Sequence, residues 1–504
     1  MQGWTGRIII LVLFGLTLGV PFLLQPATSR EGSADGPRLT ILTPHNEQIR
    51  YELSYAYNAW RQSQGQPPVT FDWRASGGTS DLRKQVLSEF TVAIENSAPL
   101  PTYDLFFGGG DYEHNQLARG VTIKNQKDRV PVTRPLTISD DLLREAFPSE
   151  TIAGVRLYHP DKRWVGIVLS SFGIIYNNDR LKMAGLPEPT TWSDLADPRY
   201  QRSVALADPA HSGSIAVTYN AVLQRHGWVE GWGVLRRTFA NARYFTNSAS
   251  KVPVDVSAGE SAAGMCIDFY GRFQAGAIGG NRVDYVDPVH MTVTTPDPIS
   301  VMDGTRNEVL ANDFVAWLLT KDAQQIWMKK LGTPGGPQRF ELRRSPIRHD
   351  LYEPQITRDW VVPANPFEIA SPVSKAVPDF YFMVAPISHA IAIDIHEELQ
   401  KAWRVINAYP DHPLREEMLA KFDAMPPLLT IQWPDDDLRD NWQAIADDPE
   451  HARYPELAAT LKAFVDGLGQ RYDWGKKNDV LLADRQAWTA FFKANYEWIS
   501  DQEP

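Results

Sequence analysis

Two short stretches place glycines and hydroxyl side chains at the mouth of a helix-forming segment. In "DWRASGGTSDLRKQV" a strand-like run ends in Gly77-Gly78-Thr79-Ser80 before an amphipathic helix, and in "ADPAHSGSIAVTYNAVLQRHG" Ser212-Gly213-Ser214 precedes another. The first N–H groups of a helix lack intrahelical partners and carry the positive end of its dipole, so such a turn binds an anion. A Ser or Thr at the same place also serves simply as the cap of its own helix. For each turn alone both readings stand; two such turns facing one cleft make an anion clamp. The third candidate is "FFGGGDYEHN", where Gly109 and Gly110 let backbone approach a ligand closely and Asp111, Glu113 and His114 gather carboxylates and an imidazole. That cluster is equally a tight turn followed by solvated charge. Ser248, in "YFTNSASK", is a further hydroxyl candidate.

Catalytic patterns are weak by comparison. "DIHEELQ" at 394–400 has the start of a zinc helix but Leu399 and Gln400 stand where the second histidine is needed, and no G-x-S-x-G elbow occurs. No catalytic residue is assigned and the protein is not expected to be an enzyme; a secreted hydrolase is the alternative of that class.

The elements that must position these turns follow from periodicity. From Arg38 short apolar runs alternate with helix-period segments: "LTILTP", "PVTFDWR" and "YDLFFG" read as strands, with helices over 47–62 and 80–90 between them. This alternation predicts an α/β unit whose ligands sit beyond the carboxyl ends of the strands. "WVGIVLSSFGIIYNND", "VALADP" and "AAGMCIDFYGRF" begin a second α/β unit. After about residue 352 strands disappear and aromatic helices dominate, which predicts a helical extension. The 504 residues are 43% hydrophobic, enough for two or three cored domains, and the net charge of −11 argues against a nucleic-acid partner. Cys266 is the single cysteine, so an intrachain disulfide is excluded. Arg7 followed by the uncharged run 8–24 and the polar "QPATSREGSADGP" reads as a signal peptide or an inner-membrane anchor, hence a periplasmic or otherwise extracytoplasmic protein.

The ordered motifs "LTILTPHNE", "YDLFFGGG", "FGIIYNNDRLKMAGLPEPTTWSDLADPRY", "VALADPAHSGS" and "NEVLANDFVAWLLTKDAQQIW" resemble the bacterial extracellular solute-binding proteins of ABC importers, in their ferric-iron-binding-protein-like branch. The resemblance implies an α/β, two-lobed periplasmic-binding-protein fold of type II that closes by a hinge, here with a C-terminal helical extension. The corresponding division is 1–36 signal or anchor, 37–135 and 280–345 lobe 1, 136–279 lobe 2, and 346–504 extension. The implied partners are the importer's membrane permease and a small solute, bound by a monomer. In the resembled branch a histidine, a glutamate and two adjacent tyrosines hold ferric ion. His45 and Tyr270 fall at two of these positions and are the metal ligands if iron is bound. Phe269 replaces one tyrosine, and "FFGGG" offers no carboxylate at the glutamate position. Losing hard oxygen donors while keeping the two turns favours an organic phosphate, phosphonate or carboxylate as ligand, with no cofactor expected. Ferric-iron transport and a membrane-anchored sensor or partner-binding ectodomain are the alternatives.

Overall fold

The computed structural model describes residue 14 and residues 36–503, leaving out 76, 125, 127, 280, 289, 363, 364, 371, 412 and 473–478. Apart from Phe14, the apolar run 8–24 read as a signal or anchor lies outside the described residues. Among the described residues no helix is long and apolar enough to cross a membrane.

The first sheet begins with β1 (Arg38–Leu42), β2 (Thr70–Arg74) and β3 (Leu105–Phe107), with β1 parallel to both neighbours and Ile41 in register with Trp73 and Leu105. Each strand leads into a helix: α1 (Glu47–Ser63), α2 (Thr79–Glu95) and α3 (Asp111–Arg119). Asn46 caps α1, its side chain accepting from the Ile49 N–H, while Tyr57 on the inner face of α1 packs its ring 4.9 Å from Phe314 and 5.1 Å from Trp317. The short β4 (Thr133–Arg134) and the wholly buried β5 (Val165–Ser170) complete this half of the sheet.

One residue later the chain is in a second sheet. β6 (Phe172–Asn177), β7 (Val204–Ala207), β8 (Ala242–Thr246), β9 (Ala263–Ile267) and β10 (Val283–Val286) lie in the order β8-β7-β9-β6-β10. Helices α4 (Gly213–His226), α5 (Trp228–Ala240) and α6 (Asp268–Ile278) pack on it. The chain then returns as β11 (Thr295–Met302), antiparallel to β3, β4 and β5, and β12 (Ser345–Pro346) pairs with β5. Two segments therefore cross between the sheets, Ser171 and residues 287–294, and they are tied where the Ser171 hydroxyl donates to Asp287 at 2.6 Å.

This topology corrects the division read from the sequence. β5, assigned to the second unit, is hydrogen-bonded into the first sheet, and β10, assigned to the first, pairs with β6 in the second. The reason is that in "WVGIVLSSFGIIYNND" only the serine pair at 170 and 171 interrupts the apolar run, and two small polar residues do not by themselves reveal that a buried chain passes there from one sheet to the next.

The region after β12 is helical, as expected. Leu351 and Trp360 form a small core with Met328 on the first-sheet side. The larger part, including α7 (Tyr381–Ile391), α8 (His396–Ala408) and α9 (Asp479–Ser500), packs on the helices of the second sheet. Trp228 of α5 donates its indole N–H to the Leu429 carbonyl at 2.7 Å, and the buried Arg236 guanidinium lies 5.7 and 5.2 Å from the rings of Phe422 and Phe492. His396 of "DIHEELQ" is part of this docking, with Nε2 2.9 Å from the Phe239 carbonyl.

Candidate functional site

A cavity of about 80 Å³ lies between the two sheets. A water-sized position needs roughly 10–15 Å³ by this measure, so several ligand atoms fit. Four helices start at its wall. α2 begins after Gly78 and α3 after Gly110, neither with a side chain capping it; α6 begins after Ile267, which has no capping group; and α4 begins after Ser212. Gly78 thus leaves the first backbone N–H groups of α2 without a competing cap oxygen, whereas at α3 the Asp111 carboxylate accepts from the first backbone N–H groups and at α6 Asp268 Oδ1 accepts from the Phe269 N–H at 2.8 Å; each helix end carries about half a positive charge. Ser212 does cap α4, its hydroxyl accepting from the Ile215 N–H at 3.4 Å, and it also lies 3.1 Å from the Ser214 hydroxyl.

Of the residues singled out in the sequence, His45, Gly77, Gly78, Thr79, Gly109, Gly110, Ser212, Ser214, Ser248 and Tyr270 lie on this wall. Gly109 has φ +98°, and a methyl there would sit 2.2 Å from Thr79 Cγ2, so only glycine lets α2 and the β3–α3 turn approach as they do. Ser80, Gly213 and Asp111 belong to neighbouring contacts instead. Each helical residue is rotated about 100° from the last, so Ser80 points away from the cavity and donates to Glu113 Oε1 at 2.8 Å. Gly213 packs close to the same carboxylate. Glu113 also pairs with Arg83 and accepts from the Tyr381 hydroxyl at 3.0 Å, which joins α3 to the C-terminal region. His114 is structural, its Nδ1 2.7 Å from Ser300 Oγ and its Nε2 3.2 Å from the Gly108 carbonyl.

Asp111 faces Asp379 and Glu113. Burial, then the charge of Asp379, pushes its carboxyl up to about 6, and burial raises Asp379 as well. A carboxyl whose pKa rises on folding from its ordinary 3.8 stabilises the fold below that value and loses the contribution as pH climbs through about 6. Asp111→Asn is therefore expected to be more stable than the natural protein at pH 8, by about 1–3 kcal/mol, with the advantage gone near pH 4. Denaturant unfolding at both pH values checks this; an advantage independent of pH would refute it.

The sequence did not single out the buried network behind His45. His45 Nε2 is 2.8 Å from Asp297 Oδ2, and Arg344 Nη1 is 2.6 Å from the same oxygen, while Arg344 Nη2 donates to Ser170 Oγ at 2.7 Å. The guanidinium lies over the Phe269 ring at 4.0 Å, where the resembled branch has a tyrosine. Burial opposes the Asp297 charge, but Arg344 and His45 outweigh it and hold the carboxyl at about 2. Burial lowers the His45 pKa, only partly countered by Asp297, so the ring is neutral at pH 7. Since the Asp297 carboxylate has no proton to give, the His45 proton is on Nε2. Tyr270 is held protonated as burial pushes its hydroxyl up to about 12, and that hydroxyl donates to the Pro44 carbonyl at 3.4 Å. Among the described residues no group of three or more His, Cys, Asp or Glu is arranged to hold a metal ion.

The two sides of the cavity touch. His211 Nδ1 is 3.1 Å from Asp81 Oδ2, Lys84 donates to the Ala210 carbonyl at 2.8 Å, and Gly78 packs against the backbone of His211. These contacts run from the start of α2 to the turn before α4, so the sheets are drawn together over the cavity.

Residues 146–346 match the family model described as bacterial extracellular solute-binding protein. The chain is 26% identical over 253 residues to an uncharacterized protein of Haemophilus influenzae, covering 50% of this chain and 68% of that one. It is 25% identical over 162 residues to the phosphoglycerate transport regulatory protein PgtC of Salmonella typhimurium, covering 32% of this chain and 40% of PgtC. Among solved structures it is similar to the periplasmic binding protein AfuA from Actinobacillus pleuropneumoniae, with exogenous fructose-6-phosphate bound, at a TM-score of 0.51 and 16% identity, covering 73% of this chain and 98% of AfuA. The resemblance to extracellular solute-binding proteins read from the sequence therefore stands, and the fold is that of the type II periplasmic binding proteins with an added helical C-terminal region.

Proposed function

We propose that this protein binds a small organic anion, a phosphate, phosphonate or carboxylate, in the cavity between its sheets and delivers it outside the cytoplasm to the permease of an ABC importer. The observation that carries this reading is the meeting of four helix N-termini on one cavity wall, two of them capped by glycine. The two sheets act as lobes, hinged at Ser171 and at 287–294. AfuA holding a sugar phosphate and PgtC being named for phosphoglycerate transport support a phosphorylated ligand.

Ferric ion is the second reading, because His45 and Tyr270 both line the cavity. Against it, the Arg344 cation is already 2.6 Å from Asp297, and helix N-termini repel a metal cation. Native mass spectrometry with metal analysis on freshly purified protein tests both readings. An anion of organic composition is expected. Calorimetry on Thr79→Val and Ser214→Ala should then show affinity reduced by about ten- to a hundredfold, or roughly 1.5–3 kcal/mol, for each lost hydrogen bond to a charged group. Stoichiometric iron whose visible tyrosinate colour disappears in Tyr270→Phe would overturn the proposal.

A further inference from the structure

We propose a second binding site, for a small organic cation bearing a methylated ammonium group, in the cavity that the helical C-terminal region encloses against the start of α5. It is separate from the cavity between the sheets and does not rest on the anion reading.

This second cavity, of about 300 Å³, is lined by Trp228, Trp433, Trp442 and Phe380 together with aliphatic side chains. Most of its wall comes from the added C-terminal region. The Trp228 indole N–H is already given to the Leu429 carbonyl at 2.7 Å, so this residue offers the cavity its ring. Trp442 is held by the turn between α4 and α5: Gly227 has φ +76°, and a methyl there would sit 2.4 Å from the indole. Trp433 and Trp442 are half-buried, and neither ring stacks on another aromatic side chain among the described residues. Such rings carry negative charge on their faces and attract a cation.

The mouth of the cavity has the matching charge. Arg439 is the one cation on the wall, and Asp440 and Asp436 meet it at 2.8 and 2.6 Å. Nearby in the chain Arg453 is met by Asp435, Asp437 and Glu456. Glu230, also on the wall, is exposed and has no hydrogen bond or ion pair among the described residues. An anion is repelled from such a mouth and a neutral molecule gains only packing, whereas a cation is drawn in. The kind of cation follows from what the wall lacks. Glu230 and Asp440 are its only carboxylates, and the remaining lining side chains are rings and hydrocarbon apart from Arg439. A primary ammonium brings three N–H donors that these surfaces leave unpaired, at a cost. A quaternary ammonium has no N–H, and its methyl groups pack on the rings.

The test is calorimetry on the full chain with choline, with 3,3-dimethylbutan-1-ol as its uncharged isostere, and with ethanolamine, which presents a primary ammonium. Choline is expected to bind at least tenfold more tightly than either, as a desolvated cation on aromatic faces should. Trp433→Leu keeps an apolar side chain without the indole face and should weaken choline binding at least tenfold. The three-ligand comparison on the natural chain stands even if that variant fails to fold. Equal binding of the uncharged isostere would overturn the proposal in favour of an apolar pocket, and equal binding of ethanolamine in favour of the carboxylates acting alone. No binding of choline, or choline binding unaltered in Trp433→Leu, would overturn it as well. All of these outcomes leave the anion reading standing.

Discussion

Gly78→Ala is expected to weaken ligand binding at least a hundredfold while leaving the melting temperature of the unliganded protein unchanged. The backbone at Gly78, φ −73° and ψ 166°, is ordinary extended chain that alanine adopts without strain. A methyl group there would lie 2.0 Å from the His211 carbonyl oxygen, on the other side of the cleft. Backbone meets backbone at this point, so no side-chain rotation relieves the clash. The start of α2 and the turn before α4 have to separate, which stretches the Asp81–His211 and Lys84–Ala210 contacts as well. With the lobes apart, the helix ends no longer converge on one anion. A hundredfold loss is about 2.7 kcal/mol. Titration with sn-glycerol 3-phosphate and sorbitol 6-phosphate measures the affinity, and small-angle scattering measures whether ligand still compacts the protein. Undiminished affinity would mean that closure does not use this contact. Gly109→Ala is the contrast, since its positive φ and its approach to Thr79 lie within one lobe, so it should destabilise the unliganded protein too.

What could be read from the sequence was local. Glycine and hydroxyl residues before an amphipathic segment mark a helix entrance whatever surrounds it, so the turns at 77–79 and 212–214 were legible, and so was the alternation of strands and helices. Which residue of a turn faces the cavity is not local. Ser80 looks equivalent to Thr79 in sequence, yet one step around the helix turns it to Glu113. The crossing at Ser171 is marked only by two serines in an otherwise apolar stretch, which put β5 in the wrong sheet. The buried network was hidden most completely. Asp297 lies in the middle of β11, every residue of which is buried, and nothing in a strand's pattern tells whether a carboxylate meets a cation or solvent. Its partner Arg344 comes from a loop held near the cavity in part by Glu52, whose carboxylate accepts the backbone N–H groups of 338–340 at 2.7 Å each. Only the folded chain brings the two together.

That network carries the largest stability effect expected. Arg344→Ala should destabilise the protein by about 3–5 kcal/mol at pH 7, because it leaves the Asp297 carboxylate buried with His45 as its remaining partner. The pH dependence identifies the cause. In the natural protein the Asp297 pKa of about 2 lies below its ordinary 3.8, so its ionised form contributes stability above pH 3.8 that is lost as pH falls through about 2. Without Arg344 burial dominates and the carboxyl titrates above its ordinary value, so the variant gains stability as the pH is lowered towards 4 and the gap between the two proteins narrows. Arg344→Leu combined with Asp297→Leu removes both charges and should recover most of the loss, as an apolar replacement of a buried pair is close to neutral. Denaturant unfolding of the natural, single and double variants at pH 7 and pH 4 measures all three effects. A single variant whose deficit is the same at both pH values would show that Arg344 acts by packing on Phe269 and Trp327, at 4.0 and 5.5 Å, rather than by balancing Asp297.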